Sequence, residues 1–248
     1  MRYFLRIRYH GGHFHGWQIQ PNAITVQQVV NQILSEMTRT EIETTGCGRT
    51  DTGVHADDFY LHFDTSEPLK DAADLLFRLK ARTVRGIQFR ELFPVKPEVH
   101  ARFSATERSY VYRISQERNP FQDGLVLFMK RFPDVDLMNQ AAGYLIGKHD
   151  FECFSKSNSQ VNSYICDVRS AEWVVHNTLL EFRISADRFL RNMVRAIVGT
   201  MLEIGEKKRS PEWMEEVISS GKRSEAGSSA EACGLYLTRV VYPNNIEL

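Results

Sequence analysis

Nine consecutive residues, GRTDTGVHA at positions 48–56, carry the side chains of this chain that are best suited to chemistry. Arg49 stands two residues before Asp51, and His55 comes near the end of the stretch. Three glycines lie in or next to this stretch, namely Gly46, Gly48 and Gly53. We expect them to free its backbone for tight or left-handed turns. Because loops between strands often carry catalytic groups, the stretch favours a catalytic loop over an idle connector.

The carboxylate of Asp51 has two interpretations. In an arbitrary loop, an aspartate beside an arginine is most often part of a structural ion pair. A second arginine favours another interpretation, because Arg195 lies in an apolar segment that is predicted to be a helix over residues 188–203. Arg188 and Arg191 would share its helix face. A buried arginine needs an acidic partner, and a carboxylate held ionised between two arginines is a poor general acid but a competent nucleophile.

The elements that position this loop follow from residue periodicity. In the first half, alternating or continuous apolar residues predict strands at 2–9, 41–47, 58–64 and 87–93, and apolar stripes predict helices at 25–37 and 72–81. The order strand–helix–strand–strand–helix–strand is typical of a ferredoxin-like unit. The Asp51 loop would connect two neighbouring strands of that unit.

The second half repeats the mixture of strands and helices. Strands are predicted at 109–116, 165–175, 179–186 and 234–242, with helices at 137–146, at 188–203 and from Pro211. Asp187 is predicted to cap the helix at 188–203. We predict an α+β fold of two ferredoxin-like (RRM-like) α/β halves, whose mainly antiparallel sheets join side by side around a central cleft. The predicted domains are residues 1–103 and 104–248.

Composition narrows the class of protein. The chain has 248 residues, of which 42% are hydrophobic and 25% charged, as in ordinary globular proteins. It contains no run of about 18 apolar residues that could span a membrane, and its first nine residues are too charged for a signal peptide, so we expect a cytoplasmic protein. The cysteines form no C-x-x-C pair, and the histidines at 10, 13 and 15 lack ligand spacing. Neither a metal site nor disulfides are therefore indicated.

The charge distribution leaves the question of nucleic-acid binding open. The chain has 31 basic and 31 acidic side chains, and this zero net charge argues mildly against nucleic-acid binding. Residues 78–90 nevertheless contain five basic and no acidic side chains, and Arg2, Arg6 and Arg8 alternate along the first strand. These side chains would form either a solvated surface or a face that follows a phosphate backbone.

Motifs spread over nearly the whole chain resemble those of the TruA-type tRNA pseudouridine synthases. The 48–56 stretch is similar to the catalytic signature of that family, and further motifs follow the family's order. They are GWQIQ at 16–20 with TVQ at 25–27, HFDT at 62–65, HARFSATERSY at 100–110, FLRNMVRAIVG at 189–199 and GLYL at 234–237. Chance does not account for so many motifs in one order.

The resemblance implies a role for the charged residues of these motifs. Asp51 would be the nucleophile that attacks the target uridine, at the base or at the ribose C1′. Arg49 would help to open the RNA and hold the flipped nucleotide. Arg195 would pair with Asp51 and orient it.

The resemblance also implies a substrate site and partners. Tyr110 would stack on the flipped base, although it could instead be a core tyrosine of a sheet; Leu235 and His55 would contribute to substrate binding. The substrate would be the anticodon stem–loop of tRNA, at uridines 38, 39 and 40, and the enzyme would act as a homodimer. Because the uracil is detached, rotated and rejoined, no cofactor, metal or ATP would be needed.

Departures from the family pattern keep alternatives open. Thr52 follows the nucleophile where the family usually has alanine, Asp58 or Phe59 stands where a glutamine is usual, and residues 80–87 differ from the family's segment. A divergent pseudouridine synthase with another RNA site and an RNA-binding module without catalysis are the alternatives. An aspartic peptidase shares the DTG tripeptide, but its apolar strand before the tripeptide and its all-β pattern are missing.

Overall fold

The computed structural model describes residues 1–156 and 162–248. Its α-helices are α1 (Val26–Thr38), α2 (Ala72–Ala81), α3 (Val135–Gly143), α4 (Met193–Gly205) and α5 (Trp213–Ser220). Its strands are β1 (Arg2–Tyr9), β2 (Thr45–Gly46), β3 (His55–Asp64), β4 (Ile87–Val95), β5 (Glu107–Ser115), β6 (Leu127–Phe128), β7 (Gly147–Asp150), β8 (Ile165–His176), β9 (Leu179–Ala186) and β10 (Leu235–Val241). The predicted α+β class is confirmed.

The chain divides into two compact units, one made of residues 1–106 with 237–248 and the other of residues 107–236. The predicted domain boundary between residues 103 and 104 stays a prediction. Within the residues that the structure describes, no helix is long and apolar enough to cross a membrane.

In the first unit, β1 is the central strand between two antiparallel neighbours. It pairs with β3 on one side and with β4 on the other, while the short β2 pairs with β3. Leu5 and Ile7 of β1 are fully buried, as the two-residue repeat predicts. The order of elements from β1 to β4 is also the predicted one, but β2 covers only the end of the predicted strand at 41–47.

Both helices of the first unit begin at a side-chain cap. The hydroxyl oxygen of Thr25 accepts a hydrogen bond from the Gln28 N–H at 3.3 Å, and the carboxylate of Asp71 accepts one from the Asp74 N–H at 2.8 Å. Apolar stripes are buried on the inner faces: Val26, Val30, Ile33 and Leu34 of α1, and Leu75 and Leu79 of α2. The predictions of α1 and α2 are confirmed to within one residue.

The alternating arginines of β1 are matched by acidic side chains on the neighbouring strands. Arg6 lies 2.5 Å from the carboxylate of Asp58 and 2.8 Å from that of Glu91. The other pairs are Arg2 with Asp64 at 2.8 Å and Arg8 with Asp57 at 3.7 Å. Because each arginine has a carboxylate neighbour, this face carries much less positive charge than the sequence alternation suggests.

In the second unit, β9 lies between β5 and β8, and β7 pairs with the far side of β8, all antiparallel. The short β6 adds to β5 in parallel. Helix α3 packs against β8 and α4. It begins earlier than the predicted residue 137, because the carboxylate of Asp134 accepts a hydrogen bond from the Leu137 N–H at 3.3 Å and caps the helix.

The long helix of the second unit begins later than predicted. Helix α4 starts at Met193, because Asn192 has a left-handed backbone with φ 68°. Arg188 and Arg191 therefore precede the helix, and the predicted helix face shared with Arg195 is wrong.

Asp187, predicted to cap the long helix, instead connects the ends of strands. Its carboxylate accepts hydrogen bonds from the N–H groups of Asp167 at 2.8 Å and Arg188 at 2.7 Å. Its carbonyl oxygen accepts a further bond from the guanidinium of Arg108 at 3.0 Å. The cap residue was misassigned because an aspartate satisfies backbone N–H groups equally well in turns and at helix ends.

Two histidines in the first unit support the turn at residues 100–104. The Nδ1 atom of His62 accepts a hydrogen bond from the Ala101 N–H at 3.1 Å, and the Nδ1 atom of His100 accepts one from the Arg102 N–H at 3.0 Å. A nitrogen that accepts from a backbone N–H carries no proton, so both rings are neutral in this arrangement. Burial, reinforced by the charge of Arg2 and the neighbouring ring, lowers the pKa of His62 to about 4, although Asp64 opposes the shift.

The lowered histidine pKa predicts acid sensitivity. Because the pKa of His62 in the folded chain lies below its ordinary value of 6.5, the unfolded chain binds more protons between about pH 6.5 and pH 4. The free energy of unfolding should therefore fall by about 1–2 kcal/mol from pH 7 to pH 5. Urea unfolding at both pH values checks this for wild type, for His62→Gln and for the exposed-histidine control His15→Gln. An equal fall in His62→Gln and wild type would contradict the assignment.

Candidate active site

The Asp51 loop is fixed through its backbone. The Trp17 N–H donates to the carbonyl of Thr50 at 3.2 Å, the residue immediately before Asp51. The Val54 N–H donates to the carbonyl of Asp51 itself at 3.1 Å, and the Gly53 N–H donates to the carbonyl of Phe14 at 3.4 Å. Bonds to residues on both sides of Asp51 hold the position of its Cα atom while its side chain stays half-buried.

A buried side-chain contact adds to this anchoring. The hydroxyl groups of Tyr9 and Thr50 form a hydrogen bond of 2.9 Å, and the two residues are only 4% and 8% exposed. Tyr9 is the last residue of β1, so the central strand of the first unit directly holds the residue next to Asp51. Arg49 and Thr52, in contrast, are exposed on the same loop.

The glycines of this region have different functions. Gly53 has φ +81° and needs the conformational freedom that the sequence predicts. Gly46 lies in β2 with the ring of Trp17 2.6 Å from where a Cβ atom would be, so it is required by close packing and not by a turn. Gly48 has neither a positive φ nor a neighbouring atom within 4 Å of a Cβ position. The left-handed backbone that the glycines were expected to allow is thus present at Gly53 and absent at Gly46 and Gly48.

A fourth glycine, outside the stretch, lies against the backbone of Thr50 and Asp51. Gly16 has φ +83°, and a Cβ atom there would lie 2.5 Å from the carbonyl oxygen of Thr50 and 3.2 Å from the carbonyl carbon of Asp51. Only a residue without a side chain fits between these backbones. The motif GWQ at residues 16–18 singled out this glycine in the sequence, but the motif does not show why a glycine is needed there.

His55 supports the loop from inside the protein. It is 1% exposed, and its Nδ1 atom accepts a hydrogen bond from the Gly11 N–H at 3.0 Å. This bond fixes the ring as the neutral tautomer with the proton on Nε2. His55 therefore connects the segment after β1 to the start of β3, and its predicted contact with substrate stays a prediction.

Three of the predicted site residues lie in the second unit. Tyr110 is half-buried on β5, where its ring meets Phe189 edge to face with centroids 5.1 Å apart. Leu235, at the start of β10, is 5% exposed. Arg195, in the first turn of α4, donates through Nε to the carbonyl of Ala230 at 2.7 Å, and the Ala230 N–H donates back to its carbonyl at 2.9 Å.

The structure thus places Arg49 and Asp51 on one loop of the first unit and His55 at the start of the strand that follows it. Among the residues from 1 to 156 and 162 to 248, no group of three or more His, Cys, Asp or Glu side chains is arranged to hold a metal ion. The chemistry that this loop can offer is that of a positioned carboxylate with an exposed arginine beside it.

Asp58, one of the departures from the family pattern, is a buried part of the first unit. One carboxylate oxygen lies 2.5 Å from the guanidinium of Arg6, and the other accepts a hydrogen bond from the Val240 N–H at 3.3 Å. A carboxylate at this position is thus compensated by a charge partner and a backbone donor.

Comparisons with known proteins identify relatives over the full length. The family model described as tRNA pseudouridine synthase matches residues 141–243. The chain is 41% identical over 245 residues to tRNA pseudouridine synthase A of Parabacteroides distasonis, covering 99% of this chain and 97% of that protein. It is 42% identical over 250 residues to the enzyme of the same name from Porphyromonas gingivalis, and the match covers 100% of this chain and 99% of that protein. It is 37% identical over 250 residues to the one from Colwellia psychrerythraea, and the match covers 100% of this chain and 96% of that protein.

Proposed function

The chain belongs to the tRNA pseudouridine synthase A family, and we propose that Asp51 is the nucleophile with which it isomerises uridine to pseudouridine in the anticodon stem–loop of tRNA. The isomerisation of tRNA uridine follows from family membership. The assignment of Asp51 is carried by one observation: the backbone is anchored on both sides of a carboxylate that itself stays half-buried.

The proposed reaction needs one nucleophile and proton transfers. The carboxylate of Asp51 adds to the uracil base or to the ribose C1′, and the bond between N1 and C1′ breaks. The detached uracil rotates, a bond forms between C5 and C1′, and the carboxylate is released. The proton lost at C5 is balanced by the proton gained at N1, so substrate and product are isomers and no cofactor, metal or ATP is consumed.

The anchoring of the loop supports this chemistry physically. A nucleophile that is already held in position loses little conformational entropy when the substrate reacts. The hydrogen bonds to the carbonyl oxygens of Thr50 and Asp51 and the Tyr9–Thr50 hydroxyl contact provide that rigidity. The side chain of Asp51 keeps enough exposure to reach a substrate.

The remaining site residues have supporting roles in the proposal. Arg49, exposed on the same loop, opens the RNA and holds the flipped nucleotide. Arg195 pairs with Asp51 and orients it, and Tyr110 stacks on the flipped base. Leu235 lines the pocket and His55 contributes to substrate binding, with its buried position favouring an effect through the loop.

The wider arrangement belongs to the same proposal. The predicted halves, residues 1–103 and 104–248, are ferredoxin-like with sheets that join around a central cleft, and two copies of the chain act as a homodimer on tRNA in the cytoplasm. No metal ion takes part. The mixed α+β content with mainly antiparallel strands supports the fold statement. The statements on the homodimer, the cytoplasm and the metal ion rest on the family resemblance alone.

Pseudouridine mapping of tRNA from a strain that lacks this protein tests the proposed function. We expect loss of pseudouridine in the anticodon stem–loop, restoration by the wild-type chain and no restoration by Asp51→Ala. Loss at another RNA site would show that the departures at Thr52, Asp58 and residues 80–87 have changed the choice of uridine. An unchanged pseudouridine pattern would contradict the proposed function.

A further inference from the structure

The turn at residues 100–104 has a hydrogen-bond acceptor for every backbone N–H group. The N–H of His100 donates to the Ser104 hydroxyl at 2.9 Å, and that of Ser104 donates to the His100 carbonyl at 2.9 Å. The N–H groups of Arg102 and Phe103 both donate to Nδ1 of His100, at 3.0 and 3.3 Å. That of Ala101 donates to His62, as described above. A turn with complete backbone pairing has one preferred conformation.

Contacts from other segments hold the same turn in place. Ala101 is 0% exposed and packs with Phe4, Val95 and Val99. The hydroxyl of Tyr242 donates to the carbonyl of Ala101 at 2.6 Å. The middle of the turn is therefore part of the core of the first unit, although its next two side chains point outward.

The turn presents an exposed aromatic ring with a cation beside it. Phe103 is 75% exposed, whereas its ring centroid lies 4.4 Å from that of His100. The guanidinium carbon of Arg102 lies 5.4 Å from the ring centroid of Phe103. An exposed phenylalanine contributes nothing to the core, yet here the backbone that carries it is fully bonded.

We propose that Phe103 and Arg102 form a stacking platform for an unpaired nucleobase of the tRNA substrate, with the arginine contacting the adjoining phosphate. Unstacked bases are bound by aromatic faces and arginine planes, and phosphates by cations. A rigid turn suits this function because the platform loses little freedom on binding. The inference rests on tRNA being the substrate, but not on the identity of the nucleophile.

Affinity for tRNA tests the platform. Filter binding with full-length unmodified tRNA compares the wild-type chain with chains carrying Phe103→Ala, Phe103→Tyr or Phe121→Ala, at 4 °C and within the time before turnover. We expect Phe103→Ala to weaken binding by about 5- to 50-fold, while Phe103→Tyr retains the affinity because it keeps a ring. Phe121, 90% exposed in the other unit, is the matched control and should leave affinity unchanged.

The salt dependence of binding separates stacking from charge. Phe103→Ala should leave the slope of log affinity against log salt concentration unchanged, because no phosphate contact is lost. Arg102→Gln should reduce that slope by about 1, because one phosphate contact is removed. Thermal melting confirms that each variant is folded.

Two results would overturn the platform. One is wild-type tRNA affinity in a folded Phe103→Ala variant. The other is a weakened affinity that accompanies a change in oligomeric state on sedimentation, which would make the ring a protein contact. Either result can occur while the wild-type chain still makes pseudouridine, so failure of this inference is distinguishable from failure of the proposed function.

Discussion

Replacing Asp51 with asparagine should lower the rate of pseudouridine formation by at least about 10³-fold, because the substituted amide has no carboxylate to attack the uridine. Binding of tRNA should largely survive, since Asp51 contributes one acidic side chain to an RNA interface. Single-turnover kinetics with unmodified tRNA measures the rate, and filter binding measures the affinity. The two readouts separate chemistry from recognition.

Asp57→Asn is the matched control for this substitution. Asp57 is an exposed aspartate at the beginning of β3, and its long contact of 3.7 Å with Arg8 is worth little at a solvated surface. The Asp57→Asn substitution removes the same charge six positions further along the chain. The rate of pseudouridine formation by this variant should stay within about threefold of wild type. A similar loss of rate in both variants would indicate a general charge effect and contradict the nucleophile assignment.

Gly16→Ala should have the second-largest effect. The added Cβ atom would lie 2.5 Å from the Thr50 carbonyl oxygen, and the backbone there has φ +83°. Strain and clash together should lower the free energy of unfolding by about 2–4 kcal/mol. Because the backbone that must give way carries Asp51, the rate at saturating tRNA should also fall by about 100-fold. Urea unfolding and single-turnover kinetics measure the two effects.

Gly48→Ala provides the control within the same loop. It lies three residues before Asp51 and has no atom within 4 Å of a Cβ position. We expect a change in unfolding free energy within about 0.5 kcal/mol and a rate close to that of wild type. If Gly16→Ala and Gly48→Ala behaved alike, the loop would not depend on the close backbone approach seen at Gly16.

Local signals explain why much of the fold could be predicted. Helices α1 and α2 have both an apolar stripe and a capping side chain, Thr25 or Asp71, within the same short segment. Strand β1 shows a two-residue alternation of arginines with apolar residues, which the buried Phe4 interrupts. In each case sequence neighbours alone decide the local structure.

The start of α4 could not be predicted in this way. The apolar periodicity continues backward past Met193, but Asn192 takes a left-handed conformation that no periodicity reveals. Asparagine is one of the few residues that tolerate this region, so its presence was compatible with either outcome. The predicted alignment of three arginines failed for this reason.

The contacts that hold the Asp51 loop in place could not be predicted from the sequence either. Tyr9 and Thr50 lie 41 positions apart, and nothing in the two side chains indicates that their hydroxyl groups meet. The clash that makes Gly16 necessary involves backbone atoms of a segment far along the chain. Chemistry-bearing residues were found by type and motif, whereas the contacts that hold them required the folded chain.

The most direct test of the central claim is pseudouridine mapping on one unmodified tRNA transcript incubated with the purified protein. We predict pseudouridine at uridines of the anticodon stem–loop with the wild-type chain and with Asp57→Asn, and none with Asp51→Asn. Pseudouridine formed by Asp51→Asn at the wild-type rate, or found only outside the anticodon arm, would contradict the account.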